Sequence, residues 1–314
     1  MLYSSSIRDR IRGRTILVTG AGGFIGSRIV RLLLEEGAHV RAVVAAPGEP
    51  AIVLKADRLE NQFSEITDRS AIEQAVQGAD TVVHAAGSPS VAASFREPDA
   101  FVHTHVLGTV TVLEASRASL VRKFIYLSSA EVYGCPQADY VSEDQPADPR
   151  SPYGAAKASA ELFVRAFVTH SDFSGIILRP FSVYGRGASP ESLIGTIVQM
   201  IRSSDAIELN TLKPVRDYCH VDDVANAVLR ACGVDSGKLV TLNIGSGKGI
   251  SVGDLAGLMV RLAGKKVPVQ ERTDTKRLRP TDILRLVANR ARAFQTLGWQ
   301  PAINLEAGLR GCLL

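Results

Sequence analysis

The sequence predicts an α/β fold: a doubly wound parallel sheet with a smaller, mixed C-terminal lobe. Three observations carry this reading. Short β-branched apolar runs alternate with segments of helical periodicity from Thr15 to about Pro180, the pattern of parallel strands covered on both faces. A glycine-rich turn joins the first strand to the first helix. Beyond Pro180 the alternation loosens and Gly, Pro and Ser are dense from Ser182 to Pro190. Right-handed crossovers between parallel strands then wind the sheet in both directions.

The elements run in order along the chain. Thr15 to Thr19 is a β-branched apolar strand, and Phe24 to Leu34 carries helical apolar spacing at Ile25, Ile29, Leu32 and Leu33. Gly37 stands where a helix C-cap is expected. Val40 to Val44 reads as the second strand, Ala71 to Val76 as a short helix and Thr81 to Ala85 as a buried strand. Pro98 to Ser119 reads as one helix, Lys123 to Ser128 as a strand, Pro152 to His170 as a helix and Gly175 to Arg179 as a strand. In the second half, Asp222 to Cys232 reads as a helix with Asp222 as N-cap, Val240 to Ile244 as a strand, and Ser251 to Leu262 as a helix capped by Ser251. The expected division is a domain of residues 1–180 and a lobe of 181–314, with some later elements returned to the main sheet. That arrangement opens a cleft at the carboxyl ends of the strands.

Composition excludes several classes. The 314 residues are 46% hydrophobic and 22% charged, ordinary for a globular chain. Aromatic residues are only 6%, with Trp299 the single tryptophan, so the core must be aliphatic. The net charge of +4 is spread out, with local basic stretches at Arg8–Arg14 and Lys276–Arg279. No aromatics interleave them, so no nucleic-acid partner is expected. Cys135, Cys219, Cys232 and Cys312 show no CxxC spacing and no neighbouring His cluster, so no metal site is expected. Unpaired thiols fit a reducing cytoplasm. Met1 to Arg14 lacks the apolar region of a secretory signal, and no run approaches the ~20 apolar residues of a membrane span. A cytoplasmic protein with no membrane partner is the expectation.

The turn reads Thr19-Gly20-Ala21-Gly22-Gly23-Phe24-Ile25-Gly26, a GxxGxxG spacing between strand and helix. Gly20 permits the tight turn, Gly23 lets the backbone approach a pyrophosphate, and Gly26 lets the helix pack on the strand. Phosphates would rest on the helix N-terminus. In this strand–turn–helix setting the motif indicates a Rossmann dinucleotide site. The end of the second strand, Val43-Val44-Ala45-Ala46, carries neither an acid for the ribose hydroxyls nor an arginine for a 2′-phosphate. NAD is favoured because no basic residue stands there, with NADP left open. Glu65 and Ile66 follow the third strand and are placed at the border of the adenine.

Tyr153-Gly154-Ala155-Ala156-Lys157 puts a phenol and an amine one turn apart on one helix face. A free tyrosine titrates near 10, too high for a base at neutral pH. A neighbouring ammonium and a cationic nicotinamide both favour the tyrosinate. Tyr153 is then the group that takes a proton from a substrate hydroxyl. A strand ending in Ser128-Ser129 lies between the two motifs.

These features together resemble the extended short-chain dehydrogenase/reductase family, in particular its nucleotide-sugar epimerases and dehydratases. The resemblance runs through TGAGGFIGS from Thr19, VVHAAG from Val82, LSSAEVYG from Leu127, SPYGAAK from Ser151, LRPFSVYG from Leu178, RDYCHVDD from Arg216 and NIGSG from Asn243. It ends with Arg279-Pro280-Thr281-Asp282 and LGW from Leu297. It implies cofactor contacts from Phe24, Ile25, Ala85, Ala86, Gly87 and Pro180 beside the glycines, with Lys157 on the nicotinamide ribose. It implies that Ser129 holds the sugar 4-hydroxyl beside Tyr153, and that Ser182, Arg216 and Arg279 hold the nucleotide diphosphate of the substrate. It also implies a homodimer through the helices near Pro98–Ser119 and Pro152–His170.

Two positions depart from the pattern. Ser182 stands where many relatives have Asn in RPFN, and His105 where many have Asn in NVLGT. His105 is read as a satisfied core histidine rather than a catalytic one. Oxidation at the sugar C4 acidifies C3 and C5, and nearby groups then decide the outcome. Dehydratases of the dTDP-glucose type carry Asp-Glu after the catalytic Thr or Ser, where this chain has Ala130-Glu131. The leading expectation is an NAD-dependent UDP-sugar 4-epimerase. A dehydratase or decarboxylase using Glu131 as base is the alternative, and a catalytically degenerate dinucleotide sensor the reading of another class.

Overall fold

The computed structural model describes residues 4–45, 56–272 and 283–314. Its thirteen described strands are β1 Thr15–Thr19, β2 His39–Val44, β3 Leu59–Phe63, β4 Thr81–His84, β5 Lys123–Leu127, β6 Ser174–Pro180, β7 Ser182–Tyr184, β8 Ile207–Leu209, β9 Val215–His220, β10 Leu239–Ile244, β11 Gly249–Ser251, β12 Val269–Glu271 and β13 Arg285–Leu286. Seven form one sheet in the order β10-β6-β5-β4-β1-β2-β3. Every pairing in it is parallel. The chain runs outward from β1 to β3, then crosses back to β4 and continues the other way. The reversal lies between β1 and β4, where open α/β sheets bind ligands at the carboxyl ends of their strands.

Alternation along each strand feeds two aliphatic layers. Ile16, Val18, Ile125, Leu127, Ile176 and Leu178 face one layer. Leu17, Phe124, Tyr126 and Ile177 face the other. The first is covered by the helices Phe24–Glu35 and Val221–Gly233, whose buried residues include Ile29, Leu33, Val224 and Val228. The second is covered by Arg69–Val76, Gly108–Ala118 and Pro152–Thr169, through Ile72, Val112 and Val164.

The second half builds a third core around the helices Leu193–Ser203, Val252–Leu262 and Leu305–Leu313. There β9 pairs with β7, β11 and β13, and β8 with β12. Midway through this excursion β10 returns to the main sheet beside β6, and the chain then re-enters the lobe through β11, β12 and β13. Trp299 is fully buried and its indole N–H donates to the Asp223 carbonyl at 2.9 Å. The Asp223 carboxylate accepts from the Ala302 and Ile303 amides, tying the C-terminal segment to the helix Val221–Gly233.

Three elements differ from the sequence reading. The helix after β9 starts at Val221, and its N-cap is His220, whose ring nitrogen accepts from the Asp222 amide at 3.3 Å. Asp222 therefore lies in the first turn rather than at the cap. The segment read as one helix over Pro98–Ser119 is an α-turn at Pro98–Phe101, a π-helix at Val102–Leu107 and an α-helix at Gly108–Ala118. The Thr109 and Thr111 hydroxyls donate to the His105 and Leu107 carbonyls at 2.5 and 3.1 Å, satisfying acceptors within the widened turns. Finally, Ser4–Ile11 is a helix, with Ile11 buried in the first core layer.

Candidate active site

The glycine turn leaves β1 with no room for side chains. Gly20 has φ +66°, and a Cβ there would meet the Ala86 Cα at 2.7 Å and the Ala85 carbonyl at 2.8 Å. A Cβ on Gly26 would lie 2.0 Å from the Gly20 carbonyl oxygen. The turn is thus wedged between the helix it opens and the loop after β4. Gly23 caps the helix without a side-chain acceptor, and the first turn holds no acidic residue. Its N–H groups and the positive end of the helix dipole are left for an anion. Phe24 and Ile25 are half-buried at this end. Arg28 donates to the Arg186 carbonyl at 3.1 Å, which brings the loop after β7 over the helix start. Glu65 is exposed past β3, whereas Ile66 is buried against Gly108. The cradle fits a dinucleotide pyrophosphate by shape and by its unoccupied donors.

Beneath the turn runs a polar chain that the sequence reading did not include. Thr109 donates to the His105 carbonyl, so it accepts from His84 Nε2–H at 2.9 Å. His84 Nδ1 in turn accepts from the Thr19 hydroxyl at 2.7 Å. Thr19 Oγ1 takes the Ala85 and Ala86 amides at 3.2 and 3.4 Å. Every donor and acceptor along Thr19–His84–Thr109 has one assignment, and His84 is neutral. Burial, then the Lys157 charge and then His105, push His84 down to about 3.

This has a sign that can be measured. Between pH 6.5 and about 3 the unfolded chain holds a proton on His84 that the folded one lacks. Stability therefore rises with pH across that window and falls as pH drops below 6.5. His84→Gln is expected to flatten the acid limb of a urea-midpoint profile by up to one proton, about 1.4 kcal/mol per pH unit. An unchanged slope in the variant would refute the assignment.

Tyr153, Lys157, Ser129 and Glu131 meet at the end of β5. Ser151 caps the helix Pro152–Thr169, accepting from the Gly154 amide at 3.1 Å, and Pro152 opens its first turn. Tyr153 is buried and hydrogen-bonded to Ser129. Ser129 is extended and accepts from the Glu131 amide at 3.2 Å. Lys157 Nζ donates to the Leu127 carbonyl at 2.7 Å and lies 4.9 Å over the Tyr126 ring. Burial pushes Tyr153 up to about 12, the Ser129 bond opposing and the Glu131 charge reinforcing it. Burial likewise pushes Lys157 down to about 7, against the pull of Glu161. The expected lowering of the phenol by its neighbouring ammonium is not found within this chain: burial dominates, and the opposing influence is the Ser129 bond. Burial also raises the Glu131 carboxyl, with Arg216 opposing.

A second polar cluster backs the pair. Glu161, one turn after Lys157, is bound by Arg179 through Nε at 2.8 Å and Nη2 at 2.6 Å, and accepts the Ser128 hydroxyl at 2.5 Å. The Arg179 guanidinium lies 4.6 Å over the Tyr133 ring. The sequence reading missed Glu161, although its i+4 spacing to Lys157 was a signal for it; its partner on β6 gave none.

On the lobe side, Arg216 donates to the Val215 and Ile283 carbonyls at 3.0 and 2.7 Å, and its charge reaches Glu131. Ser182 opens β7 opposite Tyr218 of β9, and Pro180 closes β6 opposite Ile244. Arg279 lies outside the described residues. Asp217 is fully buried and accepts from the Ser246, Gly247 and Ala288 amides at 2.7, 2.9 and 3.1 Å. It clamps the glycine-rich loop after β10 behind Arg216. Among the described residues no group of three or more His, Cys, Asp or Glu side chains gathers as a metal site, and no helix is long and apolar enough to cross a membrane.

The fold and this constellation are those of a dinucleotide-dependent α/β enzyme acting on a carbon–oxygen centre. The chain belongs to the NAD dependent epimerase/dehydratase family, whose model matches residues 16–245. It is 32% identical to the dTDP-glucose 4,6-dehydratase of Streptomyces griseus, over 94% of this chain and 91% of that one. It is also 32% identical to the UDP-glucose 4-epimerase of Mycolicibacterium smegmatis, over 93% and 95%. Among solved structures it is similar to MoeE5 in complex with UDP-glucuronic acid and NAD, with TM-score 0.86 and 28% identity over 95% of this chain and 97% of that one. It is an NAD-dependent nucleotide-sugar enzyme.

Proposed function

We propose that the protein is a UDP-sugar 4-epimerase that works through a transient 4-keto sugar. The observation that supports this over dehydration is Ala130, buried at 2% exposure between Ser129 and Glu131. Eliminating a hydroxyl from C6 requires an acid to protonate the leaving group and a base at C5; here the first position has no proton to give. The glycine turn of Gly20, Gly23 and Gly26 would hold NAD, flanked by Phe24, Ile25, Glu65, Ile66, Ala85, Ala86, Gly87 and Pro180. Bound there, NAD would supply the hydride-accepting and hydride-donating chemistry at the sugar C4. Tyr153 takes the proton of the 4-hydroxyl and later gives it back. Ser129 accepts and donates beside it, and Lys157 steadies the ribose side. Arg216, Arg279 and Ser182 bind the diphosphate, where guanidinium forks match paired phosphate oxygens.

A second reading, C5 chemistry leading to dehydration or decarboxylation, is favoured by the raised Glu131 carboxyl. The two separate in one experiment. The protein is incubated with UDP-, dTDP-, GDP- and CDP-sugars and the products are weighed. An isomer of unchanged mass supports the epimerase; loss of water or carbon dioxide moves the assignment to Glu131. Glu131→Gln is expected to leave epimerisation within about threefold and to abolish C5 chemistry. Loss of both activities would sink this division of roles.

The proposal extends to a cytoplasmic homodimer. Leu162 and Phe163 on the helix Pro152–Thr169 and Val102 on the adjoining π-helix are 67%, 40% and 49% exposed, an apolar surface of the kind that marks an interface. Leu162→Glu is expected to convert a sedimenting dimer to monomer; a wild type already monomeric refutes it.

A further inference from the structure

His105 stands in the Tyr153 site with its side chain buried, neutral and half-bonded. Its Nε2 lies 3.0 Å from the Ser88 carbonyl. A carbonyl only accepts, so the proton is on Nε2 and Nδ1 carries a bare lone pair. That Nδ1 is buried without a partner, in a residue 1% exposed. A buried acceptor left unmade is costly, which argues for a donor belonging there.

The surroundings say which side the donor comes from. Gly87, at φ +121°, lies against the ring, and a Cβ there would fall 2.1 Å from Cε1 and 2.5 Å from Nδ1. The loop holding Gly87 is the one packed on Gly20 of the dinucleotide turn. On its other side the imidazole meets the Tyr153 ring edge-on, centroids 5.5 Å apart at 68°. Phe101 closes the cluster at 5.5 Å from His105 and 6.2 Å from Tyr153. The π-helix Val102–Leu107 presents His105 here while Thr109 holds its carbonyl. One ring thus touches both the loop beside the cofactor and the tyrosine.

We propose that His105 is a positioning residue whose Nδ1 accepts a hydrogen bond from an O–H seated together with the dinucleotide, fixing the 85–88 loop and the Tyr153 ring in one register. The O–H belongs to a nicotinamide-ribose hydroxyl or to a water held with it. This rests on Tyr153 being the acid–base group proposed above. The neutral ring is consistent with the environment: burial, then the Lys157 charge, push His105 down to about 3, the Ser88 bond opposing.

The test is direct 15N observation of the histidine ring in wild-type protein. It is titrated with NAD and with an analogue whose nicotinamide ribose lacks its hydroxyls. An upfield move of the unprotonated Nδ1 with NAD alone assigns the donor to the ribose. A move with both assigns it to water. No move with NAD overturns the proposal. Two variants read the same point through kinetics, with melting curves as the folding control. His105→Asn places Oδ1 near the position of Nδ1 and is expected to keep kcat within about threefold, whereas His105→Gln reaches the Ser88 carbonyl but not that position and is expected to lose more than about tenfold. The opposite order would make the Ser88 clamp its whole role. A protein that shows the NAD-dependent shift yet turns over no nucleotide sugar sinks the proposed reaction and leaves His105 standing.

Discussion

Tyr153→Phe is expected to lower kcat by about 10²–10⁴-fold, the range that positioned acid–base groups contribute. The variant keeps the ring, and with it the edge contacts to His105 and Phe101. It loses only the hydroxyl that reaches Ser129. Fold and NAD affinity should therefore be unchanged, and substrate KM should move little, because the hydroxyl acts in the transition state rather than in uniform binding. The phenol is a poor base as the chain alone presents it, pushed up to about 12 by burial. A positive charge brought in with the cofactor would favour the tyrosinate. Steady-state kinetics with fluorescence-monitored NAD binding checks this. A variant retaining more than about a tenth of wild-type kcat would remove Tyr153 from the chemistry.

The second large effect is on stability. Glu161→Ala is expected to cost about 3–5 kcal/mol, the penalty for stripping one partner from a buried ion pair. Both side chains are nearly inaccessible, at 4% and 5% exposure, and removing the carboxylate leaves the Arg179 charge with only the Tyr133 face. The Ser128 hydroxyl loses its acceptor at the same time. Glu161 also supports the Lys157 charge, so the lysine should titrate lower still in a variant that folds. Replacing both members, Glu161→Leu with Arg179→Met, should recover much of the loss, because apolar substitution of a whole buried pair is often neutral. Urea denaturation of the single and double variants measures it. Equal loss in both would mean that packing, not the unpaired charge, sets the cost.

Much of the sheet was legible because parallel strands buried on both faces are continuous apolar runs, as β1, β4, β5 and β6 are. The third strand, β3, was placed only by its position before Glu65 and given no bounds: as an edge strand of sequence LENQF it buries little and has no such run. The short strands of the lobe, two to six residues long, are defined by partners far away in sequence. Helix spacing also concealed the π-helix Val102–Leu107, because its apolar periodicity runs on into the α-helix Gly108–Ala118. At the site, Tyr153 with Lys157 and Gly20 with Gly26 were readable because each set is local. The meeting of Glu131 with Arg216, and of Glu161 with Arg179, depends on the register of elements that the sequence does not order. Thr19 and His84 were in view as strand-end residues; only the pairing of β1 with β4 makes them neighbours.

The return of β10 to the main sheet makes the two halves of the chain mutually protective. β6, buried along most of its length, has β5 on one side and β10 on the other. A chain stopped after Pro180 would present that strand as a long, flat, apolar sheet edge, the template on which foreign strands pair and aggregates grow. The chain enters the lobe after β6, comes back to the sheet at β10 and leaves again for β11, β12 and β13, so both passes through the lobe start from the strand pair that closes this edge.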